Sequence, residues 1–147
     1  MKIIIALLAL SLPFISTTAH ANDHYLFAPI GSYHVEREKG ECEINPGLYY
    51  QRYWNDNMFW TTGVFRNSRC NTSVIAMVGW ESHDKKRILG IPYGYGAMVG
   101  PATGYQTPIT GATYFRIGDR DAKLSARILI LPHPTQGIYG LGISYKL

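Results

Sequence analysis

Charge is scarce in this sequence: only 16% of its 147 residues are Asp, Glu, Lys or Arg, against about 25% in an ordinary soluble domain. A helical bundle is disfavoured, because its exposed faces need many Glu, Lys and Arg. Cysteine is scarce too, and two residues are too few for a disulfide-dense miniprotein. No stretch supplies the about 20 consecutive apolar residues that a membrane-spanning helix requires. The longest, Ile3 to Ile15, is interrupted by Pro13. Tyr (11) and Gly (15) are abundant instead, a composition of short strands and turns. The net charge is only +4, and its sole basic run is Lys85-Lys86-Arg87. A nucleic-acid partner is excluded, since it calls for a basic stripe with interleaved aromatics.

The N-terminus reads as a cleaved signal peptide spanning residues 1–21. Lys2 supplies the positive start, Ile3 to Ile15 the apolar segment, and Ala19-His20-Ala21 the small residues before the cut. An uncleaved anchoring helix is the alternative. Without a cysteine at the cut, a lipoprotein is not expected, and residues 22–147 form one domain. Export gives Cys42 and Cys70 an oxidising compartment, where two cysteines allow a single disulfide pairing. Two unpaired buried thiols are the other reading. No Cys-x-x-Cys pair exists, so neither a metal nor a cofactor is expected.

The remaining chain shows no sustained helical period. Candidate strands are Leu26–Glu36, Gly47–Trp54, Met58–Arg66, Thr72–Glu81, Arg87–Val99, Thr107–Ile117, Lys123–Leu131 and Gly137–Leu147, separated by turn formers such as Asn45-Pro46 and Asn55-Asp56-Asn57. At about ten residues per tilted membrane strand, eight fit the length. The fold expected is all-β, an eight-stranded antiparallel outer-membrane β-barrel.

In the last strand Tyr139, Leu141, Ile143, Tyr145 and Leu147 share one face, and Gly140, Gly142, Ser144 and Lys146 the other. Apolar outside and small or polar inside is the alternation of a membrane barrel. In a soluble lipocalin-like barrel the large residues would point inward. Charge placement favours the membrane. Lys123, Ser125, Arg127, Leu129 and Leu131 must face inward, because a Lys or Arg toward lipid costs about 2–4 kcal/mol at the midplane. Ser73, Ile75, Met77, Gly79 and Glu81 form a matching face. The lumen is therefore expected to be apolar in its outer half and polar below, suited to one acyl tail rather than a water-filled pore.

Three stretches resemble the outer-membrane lipid A palmitoyltransferases. They are His24-Tyr25 with Pro29 and His34; Phe65-Arg66-Asn67-Ser68 followed by Ile75-Ala76-x-x-Gly79-Trp80-Glu81; and the single prolines Pro46, Pro108 and Pro132. The resemblance implies an acyltransferase that moves a long chain, palmitoyl in the family, from a phospholipid to lipid A. It implies a catalytic His34 and Ser68 at the extracellular rim. Asn67 stands where the family has Asp, a change that removes charge stabilisation from an imidazolium. Ser is a poor nucleophile until a base takes its proton, and His is the base suited to neutral pH.

Gly79 matches the floor of the family's acyl pocket. A strand glycine that relieves curvature is the structural alternative. Prolines donate nothing to a strand ladder, so Pro29, Pro46, Pro108 and Pro132 mark places where lipid could enter sideways; strand ends also collect prolines. A Cys42–Cys70 bridge would tie together the loops beside His34 and Ser68. The partners implied are a phospholipid donor, a lipid A acceptor and the outer membrane, with the protein a monomer. The rival expectation is a non-catalytic barrel of the same fold, acting as a surface or structural protein.

Overall fold

The computed structural model describes residues 23–35, 40–82, 86–105, 107–132 and 137–147. The expected signal peptide lies outside them. Nine strands form one antiparallel sheet: β1 (His24–His34), β2 (Gly47–Tyr53), β3 (Met58–Arg66), β4 (Thr72–Glu81), β5 (Lys86–Ile88), β6 (Ile91–Pro101), β7 (Ile109–Ile117), β8 (Leu124–Leu131) and β9 (Ile138–Lys146). Each barrel strand pairs with its neighbour, β1 pairs with β9, and β4 with β6, so eight strands close on themselves. Closure leaves the eight-stranded wall without a terminal edge strand, the condition for placing a β-sheet in hydrocarbon.

The single strand expected over Arg87–Val99 is corrected to two. Leu89 and Gly90 both adopt positive φ, 50° and 81°, and form the two-residue turn of a hairpin in which Ile88 faces Ile91. Turns of this kind fit strand twist but usually draw Asn-Gly. The short β5 extends the wall beside β6 without adding a ninth barrel strand.

Alternation holds along β4, where Ser73, Ile75, Met77, Gly79 and Glu81 are buried and the residues between them exposed. The same is true of Arg127 and Leu129 against Leu124 and Ile128 on β8. On β9, Gly142 and Ser144 are buried while Tyr139, Leu141, Ile143 and Tyr145 are exposed. Large apolar side chains thus cover the outside, where lipid tails would solvate them. Towards the end carrying the chain terminus, Trp80 packs on Tyr95, and Lys123, expected to face inward, is instead exposed below the strand and lies over the outward Tyr145 ring, as in the interfacial aromatic girdles of membrane barrels.

Inside, several glycines seat aromatic rings from the neighbouring strand rather than leaving space. A Cβ at Gly63, Gly79, Gly96 or Gly142 would collide with Tyr49, Phe59, Tyr114 or Phe27, respectively. Below this aromatic layer lies a buried polar network. The Glu81 carboxylate accepts from Arg116 Nε (2.8 Å) and the Tyr114 hydroxyl (2.6 Å), with Arg127 Nη2 at 3.4 Å. Arg127 Nη1 also donates to Gln51 Oε1 at 2.6 Å. The lumen is therefore sealed in its lower half.

Candidate active site

His34 ends β1 and is 2% exposed. Its inward aim depends on an irregularity in that strand. Tyr25 and Phe27 are buried at odd positions, a parity that would send His34 outward. The register shifts between Pro29, opposite Gly142, and Gly31, opposite Leu141, so Ile30 is an extra residue. After this bulge the even positions turn inward and His34 enters the lumen. The regular β1–β2 pairing also stops at Phe27 and Tyr49. Beyond it Gly31 bridges Ile44, while Ser32 N donates to Glu43 O at 2.7 Å.

Ser68 belongs to the tight turn joining β3 and β4. Asn67 N donates to Asn71 O (2.8 Å), Cys70 N donates to Asn67 O (2.9 Å), and Cys70 takes a φ of 64°. A turn followed by one left-handed residue is a common three-residue hairpin loop. It presents Ser68 Oγ at 3.0 Å from His34 Nε2. The pair joins residues 34 positions apart, one at the end of β1 and one on the β3–β4 turn, and a disulfide fastens that turn to the segment following β1.

That disulfide is Cys42–Cys70, with a Cα–Cα distance of 5.5 Å. Cys42 N also donates to Ser68 O at 2.7 Å. Closing a separation of 28 residues restricts the unfolded chain by about 3–4 kcal/mol on the loop-entropy model. We therefore expect reduction, or Cys42→Ser with Cys70→Ser, to lower unfolding free energy by about that amount. The same change should loosen the His34–Ser68 contact. Denaturant unfolding in vesicles with and without reductant checks this, and unchanged midpoints would refute it.

Of the expected trio, the structure brings His34 and Ser68 together and places the Asn67 amide elsewhere. Asn67 is 1% exposed and its amide is committed to the turn. Nδ2 donates to Ser73 Oγ (2.9 Å) and Gly104 O (3.3 Å). Oδ1 accepts from Arg69 N (2.9 Å) and Asn71 N (3.0 Å). None of these bonds reaches the imidazole, and His34 Nδ1 is buried with no hydrogen-bond partner among the described residues. Asn67→Asp is accordingly expected to lose two donors and destabilise the barrel by about 1–3 kcal/mol, without raising any esterase or transfer rate. Unfolding midpoints and rates measured together decide this; a faster and equally stable variant would restore the trio.

Ser68 of this pair lines an apolar cavity whose empty volume of about 660 Å³ includes space open to solvent. Ser68, Phe65, Ile75, Met77, Ala112 and Leu129 are among its lining residues. Gly79, the expected floor, does not line it, because the Phe59 ring covers that position.

The four prolines fall into two groups. Pro29 and Pro46 flank the interval where regular β1–β2 pairing is interrupted. Pro108 and Pro132 stand just outside β7 and β8, whose pairing begins only at Thr113 and Ile130. Pro29, Gly111 and Leu131 line the cavity, so it reaches the wall at both interruptions.

Sequence reading missed several contributors. Asn45 is 6% exposed; it accepts from Ser32 Oγ at 2.5 Å and donates to Cys42 O at 3.2 Å. Tyr105, also on the cavity lining, stacks on Phe65 with centroids 6.4 Å apart. Burial pushes its phenol up, keeping it a neutral donor. Arg116 was detectable: an arginine in a strand otherwise apolar and facing lipid has to point inward.

Together these features define the class: a closed, antiparallel, eight-stranded barrel of the transmembrane kind, with a His34–Ser68 contact beside an apolar cavity that Ser68 lines. Among solved structures, the chain is similar to one described as "De novo design of transmembrane beta-barrels". The TM-score is 0.58 at 12% identity, covering 86% of this chain and 96% of that one. That likeness concerns the fold alone. No family model matches the sequence, and no curated protein matches it.

Proposed function

We propose that the protein is an outer-membrane acyltransferase that takes an acyl chain from a phospholipid and passes it to lipid A. The observation that carries this reading is the 3.0 Å contact between His34 Nε2 and Ser68 Oγ beside an apolar cavity lined by Ser68 itself. A phospholipid enters through a proline-flanked interruption of the wall, its tail in the cavity and its ester at Ser68. Ser68 Oγ attacks the ester carbonyl while its proton passes to His34 Nε2. The lysophospholipid alcohol leaves with that proton. A lipid A hydroxyl then attacks the acyl-serine, His34 takes the hydroxyl proton, and Ser68 is restored by its return.

Energetically the tail exchanges one apolar environment for another, so the cavity has to match the bilayer and not merely exclude water. Ordering the tail also costs conformational entropy. An N-terminal export signal and the Cys42–Cys70 bridge support passage through an oxidising periplasm. The proposed protein works as a monomer and needs neither metal nor cofactor.

A second reading, a non-catalytic surface barrel, draws support from Asn67, whose commitment to the turn leaves His34 Nδ1 without an orienting partner among the described residues. Mass spectrometry of lipid A from cells expressing the chain separates the two. An added acyl group supports the transferase; unmodified lipid A, with the protein folded in the membrane, supports the surface barrel.

A further inference from the structure

We infer that the cavity measures a medium acyl chain of about ten to twelve carbons, with Met77 and Phe59 as its floor. This inference rests on the proposal that an acyl chain occupies the cavity, and it departs from the palmitoyl expectation.

Depth follows from the register of β4. Ser73, held by Asn67, lies just below the Ser68 turn, and Met77 is the lowest β4 residue on the cavity lining. Four residues at about 3.3 Å each, on a strand tilted by about 40°, descend roughly 10 Å. The turn that lifts Ser68 above Ser73 adds a few ångströms, giving a depth on the order of 13–15 Å. An extended chain of C–C bonds of about 1.52 Å advances roughly 1.3 Å per carbon. About ten to twelve carbons therefore fill the space.

Sixteen carbons need about 20 Å, which would carry the terminal carbons below the Gly79 layer towards Glu81. Two features oppose that. Phe59, 0% exposed, already fills the space that a side chain at Gly79 would enter. It packs on Tyr53 at 5.3 Å and Tyr114 at 6.5 Å between ring centroids. Beneath it the Tyr114 hydroxyl donates to the Glu81 carboxylate, so a longer tail would displace a packed aromatic layer and meet charge. One methylene beyond a fitted pocket is discriminated by about 10- to 200-fold. A floor this rigid gives a cut-off rather than a gradual decline.

The test uses the full-length barrel in detergent micelles with synthetic phosphatidylcholines carrying saturated chains of 8 to 18 carbons. Lysophospholipid release is measured for the wild type. Retention of free fatty acids of the same lengths by the Ser68→Ala variant is measured by native mass spectrometry, so chain length is read even if nothing is cleaved. Retention is expected to peak at ten to twelve carbons and to fall at least about tenfold at sixteen. Phe59→Ala, which uncovers Gly79, should move the peak up by about four carbons, corresponding to one layer of the lumen. Ala112→Phe, on the cavity wall, should move it down, and serves if Phe59→Ala fails to fold.

Equal retention at twelve and sixteen carbons, or no retention at any length, overturns the inference. So does a peak that both folded variants leave unmoved. A preserved length profile without lysophospholipid release supports the inference while sinking the acyltransferase reading.

Discussion

Ser68→Ala and His34→Ala are each expected to remove acyl transfer while leaving the barrel folded. Ser68 Oγ lies 3.0 Å from His34 Nε2, so its loss eliminates the proposed nucleophile. His34→Ala removes the base, an effect of about 10²–10⁴-fold. Because the two act as one unit, the double variant should be hardly slower than Ser68→Ala. Rates on a phospholipid substrate, with heat-modified gel mobility as the folding control, provide the measurement. Residual transfer near the wild-type rate in either folded variant would remove the pair from the mechanism. His34→Asn is a useful companion, since it retains polarity and approximate size without a basic ring.

Glu81→Gln is expected to cause the largest loss of stability. Glu81 is fully buried and accepts from both Arg116 and Tyr114, with Arg127 beside it. Removing its charge leaves two guanidinium groups facing a neutral amide in a water-poor lumen. Breaking a buried pair by deleting one partner typically costs about 3–5 kcal/mol. Replacing all the charges together, as Glu81→Leu with Arg116→Met and Arg127→Met, should be far less harmful, because no charge remains unpaired. Urea unfolding in vesicles compares the two. A single variant as stable as wild type would show that the network contributes little.

The barrel was legible because charge and alternation act together. An arginine among apolar alternating residues determines which face is inside, and Arg127 settles β8 in this way. β4 then follows from Glu81. Local turn chemistry was less informative: Leu89-Gly90 forms a tight hairpin that Asn-Gly would have announced, and one expected strand became two.

Two features of the candidate site lay beyond pattern reading. Alternation cannot reveal an inserted residue when both neighbours are compatible with either face, so the resetting of parity at Ile30 was invisible. Nor does the sequence state which ring lies over which glycine. Phe59 covers Gly79 because register puts these residues opposite each other, and a glycine that reads as a cavity floor becomes a seat for an aromatic ring. The Asn67 bonds were hidden for a related reason. An amide beside a serine resembles a catalytic partner in one dimension, whereas the folded turn consumes all of its hydrogen-bonding capacity.

The Ile30 bulge makes the proposed chemistry removable without disturbing the architecture of the barrel. Below Pro29 the wall is fixed by register with β2 and β9, and the buried network around Glu81 lies farther down still. A chain one residue shorter at Ile30 could retain that scaffold yet turn His34 to the lipid side. An active barrel and an inert one would then be a single codon apart, with almost identical composition, size and exterior.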